Sequence, residues 1–119
     1  MHITWITIHI RDMERSLQFY TGILGLELVR RFKPNDQMEI AFLGKEGTQI
    51  ELIAHQDIDR AEFPEQLSIG FMLDGISIDE FRQKHGINSF EGPFQPNEHI
   101  RFIYIKDPVG VKIQLIETL

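Results

Sequence analysis

Residues 3–10 (Ile-Thr-Trp-Ile-Thr-Ile-His-Ile) are β-branched or aromatic almost without interruption, and such a run predicts a strand. Asp12 stands where a helix N-cap belongs, and Met13, Leu17, Tyr20 and Leu24 follow at helical spacing, with Gly22 and Gly25 as stop signals. Three short strands are expected next, at 26–33, 37–43 and 48–54, parted by the turns Pro34-Asn35-Asp36 and Gly44-Lys45-Glu46-Gly47. Residues 55–66 are polar and charged and read as a linker. The same order then returns. Residues 67–73 form a strand, and Ser77 with Glu80 three residues later opens a helix over Ile78, Phe81 and His85, closed by Gly86. Strands follow near 88–91, 99–106 and 111–117, with Asp107-Pro108-Val109-Gly110 as the last hairpin turn.

The return is visible in the residues themselves. Gly47-Thr48-Gln49-Ile50-Glu51-Leu52-Ile53 comes back 63 residues later as Gly110-Val111-Lys112-Ile113-Gln114-Leu115-Ile116. An echo at a fixed offset marks a duplicated supersecondary unit. The expected architecture is therefore α+β: one domain of two βαβββ modules, 1–54 and 67–119, joined by the linker 55–66. Within the echo, Glu51 and Gln114 are the chemically telling pair, because duplicated modules present them at equivalent places.

A chain of 119 residues with 42% apolar content is ordinary for one globular domain. Its net charge of −6 and lack of any Lys/Arg run supply no footprint for nucleic acid or an anionic membrane. There is no cysteine, so disulfides and thiolate metal sites are excluded. The apolar stretch at 3–10 is too short for a signal or a membrane span, and a cytoplasmic location is the expectation. No glycine-rich phosphate loop, nucleophile elbow or His-Glu-x-x-His motif occurs.

Four segments in order carry a resemblance: Asp12-Met13-Glu14-Arg15-Ser16-Leu17-Gln18-Phe19-Tyr20, Leu24-Gly25-Leu26, Ile50-Glu51-Leu52, and Asp107 through Leu115. Together they make the chain similar to the vicinal oxygen chelate superfamily, which includes glyoxalase I, bleomycin-resistance proteins and extradiol dioxygenases. The resemblance implies paired βαβββ modules whose curled sheets form a cup around a ligand. In metal-dependent members each module offers one ligand from its first strand and one from its last. The matching positions here are Trp5, Glu51, Ser68 and Gln114, in place of the usual His, Glu, His, Glu.

That substitution pattern bears on chemistry. Indole carries an N–H donor and no lone pair for a metal. A serine hydroxyl is a poor ligand for zinc or nickel, whose protein sites want imidazole, carboxylate or thiolate. Only Glu51 remains a good ligand, and Gln114 has an amide oxygen to lend. No cofactor is therefore expected, and a divalent metal would require relocated ligands. His9 shares a strand face with Trp5 but lies four residues on, about 13 Å along an extended chain. It cannot take Trp5's place. By resemblance His9 sits where glyoxalases contact a substrate carboxylate, usually with Arg.

Each candidate also has a plainer reading. Glu51 on an alternating strand is equally well an exposed polar residue, and the usual role of a strand Trp such as Trp5 is core packing, with a flat apolar pocket wall as the alternative. Met38 and Phe42 on one strand, and Phe102 and Tyr104 on another, read singly as core. As sets they would line an apolar, aromatic small-molecule pocket. Three functions stay open: a binding module for a small, partly apolar molecule, a metal-dependent lyase or isomerase of the lactoylglutathione lyase type, and a metal-free enzyme with Glu51 as base. The ligand-binding set is then Trp5, His9, Met38, Phe42, Ser68, Phe102, Tyr104 and Gln114, with Glu51 the catalytic candidate. A homodimer is expected as well, since the family's curled sheets leave apolar surface for a second copy to cover.

Overall fold

The computed structural model describes residues 3–55 and 67–119. The chain divides into two compact units, Met1–Glu62 and Phe63–Leu119, each built on one open four-stranded sheet. Most of the expected linker, residues 56–66, lies outside the described residues; His55 is the last residue of a strand.

The first unit runs β1 (Trp5–Ile10), α1 (Met13–Leu17) continuing into a π-helical segment (Gln18–Ile23), β2 (Leu28–Asn35), β3 (Met38–Leu43) and β4 (Gln49–His55). Its spatial order is β1-β4-β3-β2, with β1 parallel to β4 and the other pairings antiparallel. Parallel neighbours cannot be joined by a tight hairpin, so the helix and two strands between them supply the return path. The second unit repeats this: β5 (Ser68–Met72), α2 (Ile78–His85), β6 (Glu91–Phe94), β7 (Ile100–Lys106) and β8 (Lys112–Thr118), in the order β5-β8-β7-β6.

Strand parity decides which face is core. In the first sheet Ile8, Ile10, Ala41, Leu43, Ile50 and Leu52 are buried, as are Met13, Leu17, Phe19 and Tyr20 of the helical segment. In the second, Ile103, Ile105, Ile113 and Leu115 are buried, as are Ile78 and Phe81 of α2. Each fully buried Leu or Ile contributes about 1.5–3 kcal/mol over its exposed state.

Both helix caps act as the sequence suggests. Asp12 Oδ1 accepts from Arg15 N at 3.1 Å, Ser77 Oγ accepts from Glu80 N at 3.1 Å, and Gly86 ends α2 in the left-handed region at φ 64°. The first helix departs from expectation, because after Leu17 it widens. Leu24 N donates to Phe19 O at 3.0 Å, five residues back. In the wider turn consecutive Phe19 and Tyr20 are both buried, their rings 5.1 Å apart. Gly22 therefore lies inside the helix, and Gly25, at φ +73°, stands beyond its end.

Two strand boundaries also differ, for one shared reason. β2 runs on through Pro34-Asn35, which shortens the expected turn, and β6 sits at 91–94 rather than 88–91 and contains Pro93. Both are edge strands, where the missing proline N–H removes no ladder bond.

Candidate functional site

In each unit the sheet face opposite the helix side carries the candidate chemistry, and cross-strand pairing arranges it in rows. In the first sheet Thr7 pairs with Glu51, Glu51 with Phe42, and Phe42 with Arg30. Adjacent strands are about 4.8 Å apart, so these four side chains form one line across the sheet. Contacts confirm the shared face. Thr7 Oγ1 donates to Glu51 Oε1 at 2.7 Å, the Trp5 ring meets Phe42 edge-on at 5.5 Å, and the Arg30 guanidinium lies 4.9 Å from the ring centres of both Phe32 and Phe42.

Trp5 is thus neither plain core nor free. It packs on Phe42, which is 7% exposed, while 49% of its own surface stays open. His9 is exposed one row further along, paired with Ile53. Met38 does not join this cluster. It lies four residues, roughly 13 Å, along β3 from Phe42. There it lines a separate polar concavity of about 280 Å³ with Arg11, Lys33, Asp36 and His55. Arg31, also on that concavity, is held by Glu39 and Glu14, and these hydrogen bonds, Glu39's first, raise its pKa above the ordinary arginine value.

The second sheet presents the equivalent row: Gly70 pairs with Gln114, Gln114 with Tyr104, and Tyr104 with Glu91. Glu51 and Gln114 hold equivalent places on equivalent strands, and so do Trp5, opposite Gln49, and Ser68, opposite Lys112. Ser68 is exposed at the start of β5. Phe102, Tyr104 and Phe94 form an aromatic wall with ring centres 5.4–6.1 Å apart. With Pro93, Gln95 and Pro96 they line an open concavity of about 520 Å³. Lys112 Nζ sits 4.2 Å over the Tyr104 ring and 3.9 Å from Glu91.

Thr7, Arg30, Gly70 and Phe94 were not among the expected site residues. Gly70 was within reach of the sequence, since it stands 63 residues after Thr7. A Cβ on Gly70 would lie 3.2 Å from Gln114 Oε1, so glycine leaves the amide its place. The substitution Gly70→Ala is expected to shift the side-chain NH2 resonances of Gln114 in an amide correlation spectrum. Its stability effect stays within about 1 kcal/mol, because reduced unfolded-state freedom offsets the crowding. Unmoved Gln114 signals would refute the contact.

The metal expected of the wider family finds a poor donor set. Trp5 offers no lone pair, Ser68 a neutral hydroxyl, and one oxygen of Glu51 already accepts from Thr7. Among the described residues no three His, Asp or Glu side chains gather around a common point where an ion could sit. No helix among them is long and apolar enough to cross a membrane.

A family profile, described as the glyoxalase/bleomycin resistance protein/dioxygenase superfamily, matches residues 2–115. A probable lactoylglutathione lyase from Synechocystis sp. is 29% identical over 99% of this chain and 96% of its own. Among solved structures, a glyoxalase family protein from Bacillus cereus superposes with a TM-score of 0.80 at 22% identity, covering 100% of this chain and 95% of that one. An antibiotic binding protein from a Streptomyces species superposes with a TM-score of 0.71 at 18% identity, covering 100% and 97%.

Proposed function

The chain belongs to the glyoxalase/bleomycin resistance protein/dioxygenase superfamily, and from that premise we propose that it binds a small, partly apolar molecule without a resident transition metal. The observation that carries this reading is the Thr7–Glu51 hydrogen bond beside a Trp5 packed on Phe42. Where the family places an imidazole and a carboxylate on a metal, this chain has an aromatic surface and a carboxylate tied to a hydroxyl. The aromatic wall of Phe94, Phe102 and Tyr104 adds a second apolar surface with polar groups at its margin, the usual composition of a small-molecule site.

A second reading is a lyase of the lactoylglutathione lyase type. Full-length likeness to the Synechocystis relative favours it, and Glu51 would be the group that moves a proton. The residues present do not fit the metal that such chemistry uses, so the binding reading ranks first.

Elemental analysis and native mass spectrometry of the purified protein separate the two. The expected result is substoichiometric zinc, nickel and iron, and background turnover of the hemithioacetal of methylglyoxal and glutathione. Stoichiometric metal that Glu51→Gln releases would overturn the proposal and put the lyase first. A ligand that enters beside Trp5 should change its emission, because no other tryptophan exists in the chain.

The proposed macromolecular partner is a second copy of the chain, in the cytoplasm. Phe32 and Met72 leave large apolar side chains on the open faces, and closed dimers are the common way to cover such surface. Sedimentation at micromolar concentration is expected to give a dimer, and a monomer alone would refute it.

A further inference from the structure

The two sheets differ most at the edge-strand end of their equivalent rows. The first reads Thr7, Glu51, Phe42, Arg30, and the second Gly70, Gln114, Tyr104, Glu91. Arg30 and Glu91 therefore occupy the same place with opposite charge. Glu91 has a countercharge in Lys112 at 3.9 Å. Arg30 has only ring contacts, with Phe32 and Phe42 each at 4.9 Å, and no carboxylate partner among the described residues. Neighbouring Arg31, by contrast, is taken up by Glu14 and Glu39.

A guanidinium resting over aromatic rings keeps its planar fork of N–H donors, which matches a planar anion. The ring contacts also restrict the side chain beforehand, which lowers the entropy lost when a ligand binds. Two strands away, Glu51 has given Oε1 to Thr7, while Oε2 has no partner among the described residues. The backbone positions of Arg30 and Glu51 are about 10 Å apart, with Phe42 between them and the half-exposed indole of Trp5 beside the row.

We propose that Arg30 anchors the carboxylate of a flat, apolar ligand whose far end donates an O–H or N–H to Glu51. The inference rests on the small-molecule reading and specifies its ligand class. Guanidinium and carboxylate at the two ends of one apolar row select against molecules that are anionic at both ends, because the far end meets Glu51. They also select against neutral molecules, which leave Arg30 unused.

Isothermal titration calorimetry with two probes tests this: 6-hydroxy-2-naphthoate, and 2-naphthol, which has the same rings and a hydroxyl but no carboxylate. The wild-type protein should bind the naphthoate about tenfold more tightly, the scale of one charge-assisted contact near a surface. Arg30→Gln should abolish that advantage, read as the ratio of the naphthoate to the 2-naphthol affinity in the same variant. Arg30→Lys, with charge but no fork, should restore only part of it. An Arg30→Gln variant that keeps the naphthoate preference overturns the proposal, as does one that weakens both probes equally. Binding of 2-naphthol with no carboxylate advantage overturns the anchor and leaves the apolar-ligand reading standing. Failure of the wild type to bind either probe also overturns the anchor, whereas the broader reading is decided separately by the metal and co-purified-ligand measurements.

Discussion

Leu52→Ala is expected to lower unfolding stability by about 2–5 kcal/mol, and Leu115→Ala by a similar amount. The two leucines stand at the same place in the two halves of the repeat, 0% and 1% exposed in the middle of β4 and β8. Truncation removes the transfer energy of the lost methyl groups and leaves a void, because a sheet paired on both sides cannot collapse into it. Ile3→Ala, at a position 67% exposed, is the internal comparison and should stay within about 0.5 kcal/mol. Urea unfolding midpoints at constant m-value measure all three. If either leucine variant loses less than the Ile3 variant, the assignment of the helix-side faces as cores fails.

Asp107→Ala should destabilise the protein by about 1–3 kcal/mol, although the residue lies in a turn. Its side chain is 5% exposed, and Oδ1 accepts from Val109 N at 2.9 Å and Val111 N at 2.8 Å. The backbone closes the same hairpin, with Asp107 N donating to Val111 O at 2.9 Å and Gly110 N to Asp107 O at 3.1 Å. Val111 is 2% exposed, so loss of the carboxylate strands its N–H away from water. Asp107→Asn keeps an acceptor oxygen at the same place and should recover most of the loss. Equal unfolding midpoints for the alanine variant and the wild type would show that the two hydrogen bonds contribute nothing net.

Local chemistry made much of the fold legible. Ser77 and Asp12 announced their caps because a capping oxygen precedes the N–H it serves by two or three residues, here three. The proline-bearing strands were harder. Pro34 reads as a turn residue, and the strand expected near 88–91 stops short of Pro93, until it is known that β2 and β6 lie at sheet edges, and edge position is a property of the whole sheet. The π-helical stretch after Leu17 was hidden for a related reason. Helical spacing of Met13, Leu17, Tyr20 and Leu24 fits an α-helix, and burial of both Phe19 and Tyr20 is a packing requirement.

The candidate site divides along the same line. The 63-residue echo by itself determined that Glu51 corresponds to Gln114, because a repeated pattern folds by repeated rules, and the family resemblance, at the same offset, paired Trp5 with Ser68. Residue type alone determined the poor donor set for a metal, since indole and hydroxyl chemistry do not depend on context. Only the tertiary structure decided that Thr7 holds Glu51, that Phe42 lies between Trp5 and Arg30, and that Arg30, unlike its equivalent Glu91, has no countercharge among the described residues. Each of these depends on register between strands up to 44 residues apart in the chain. A slip of one residue would turn every one of those side chains to the opposite face.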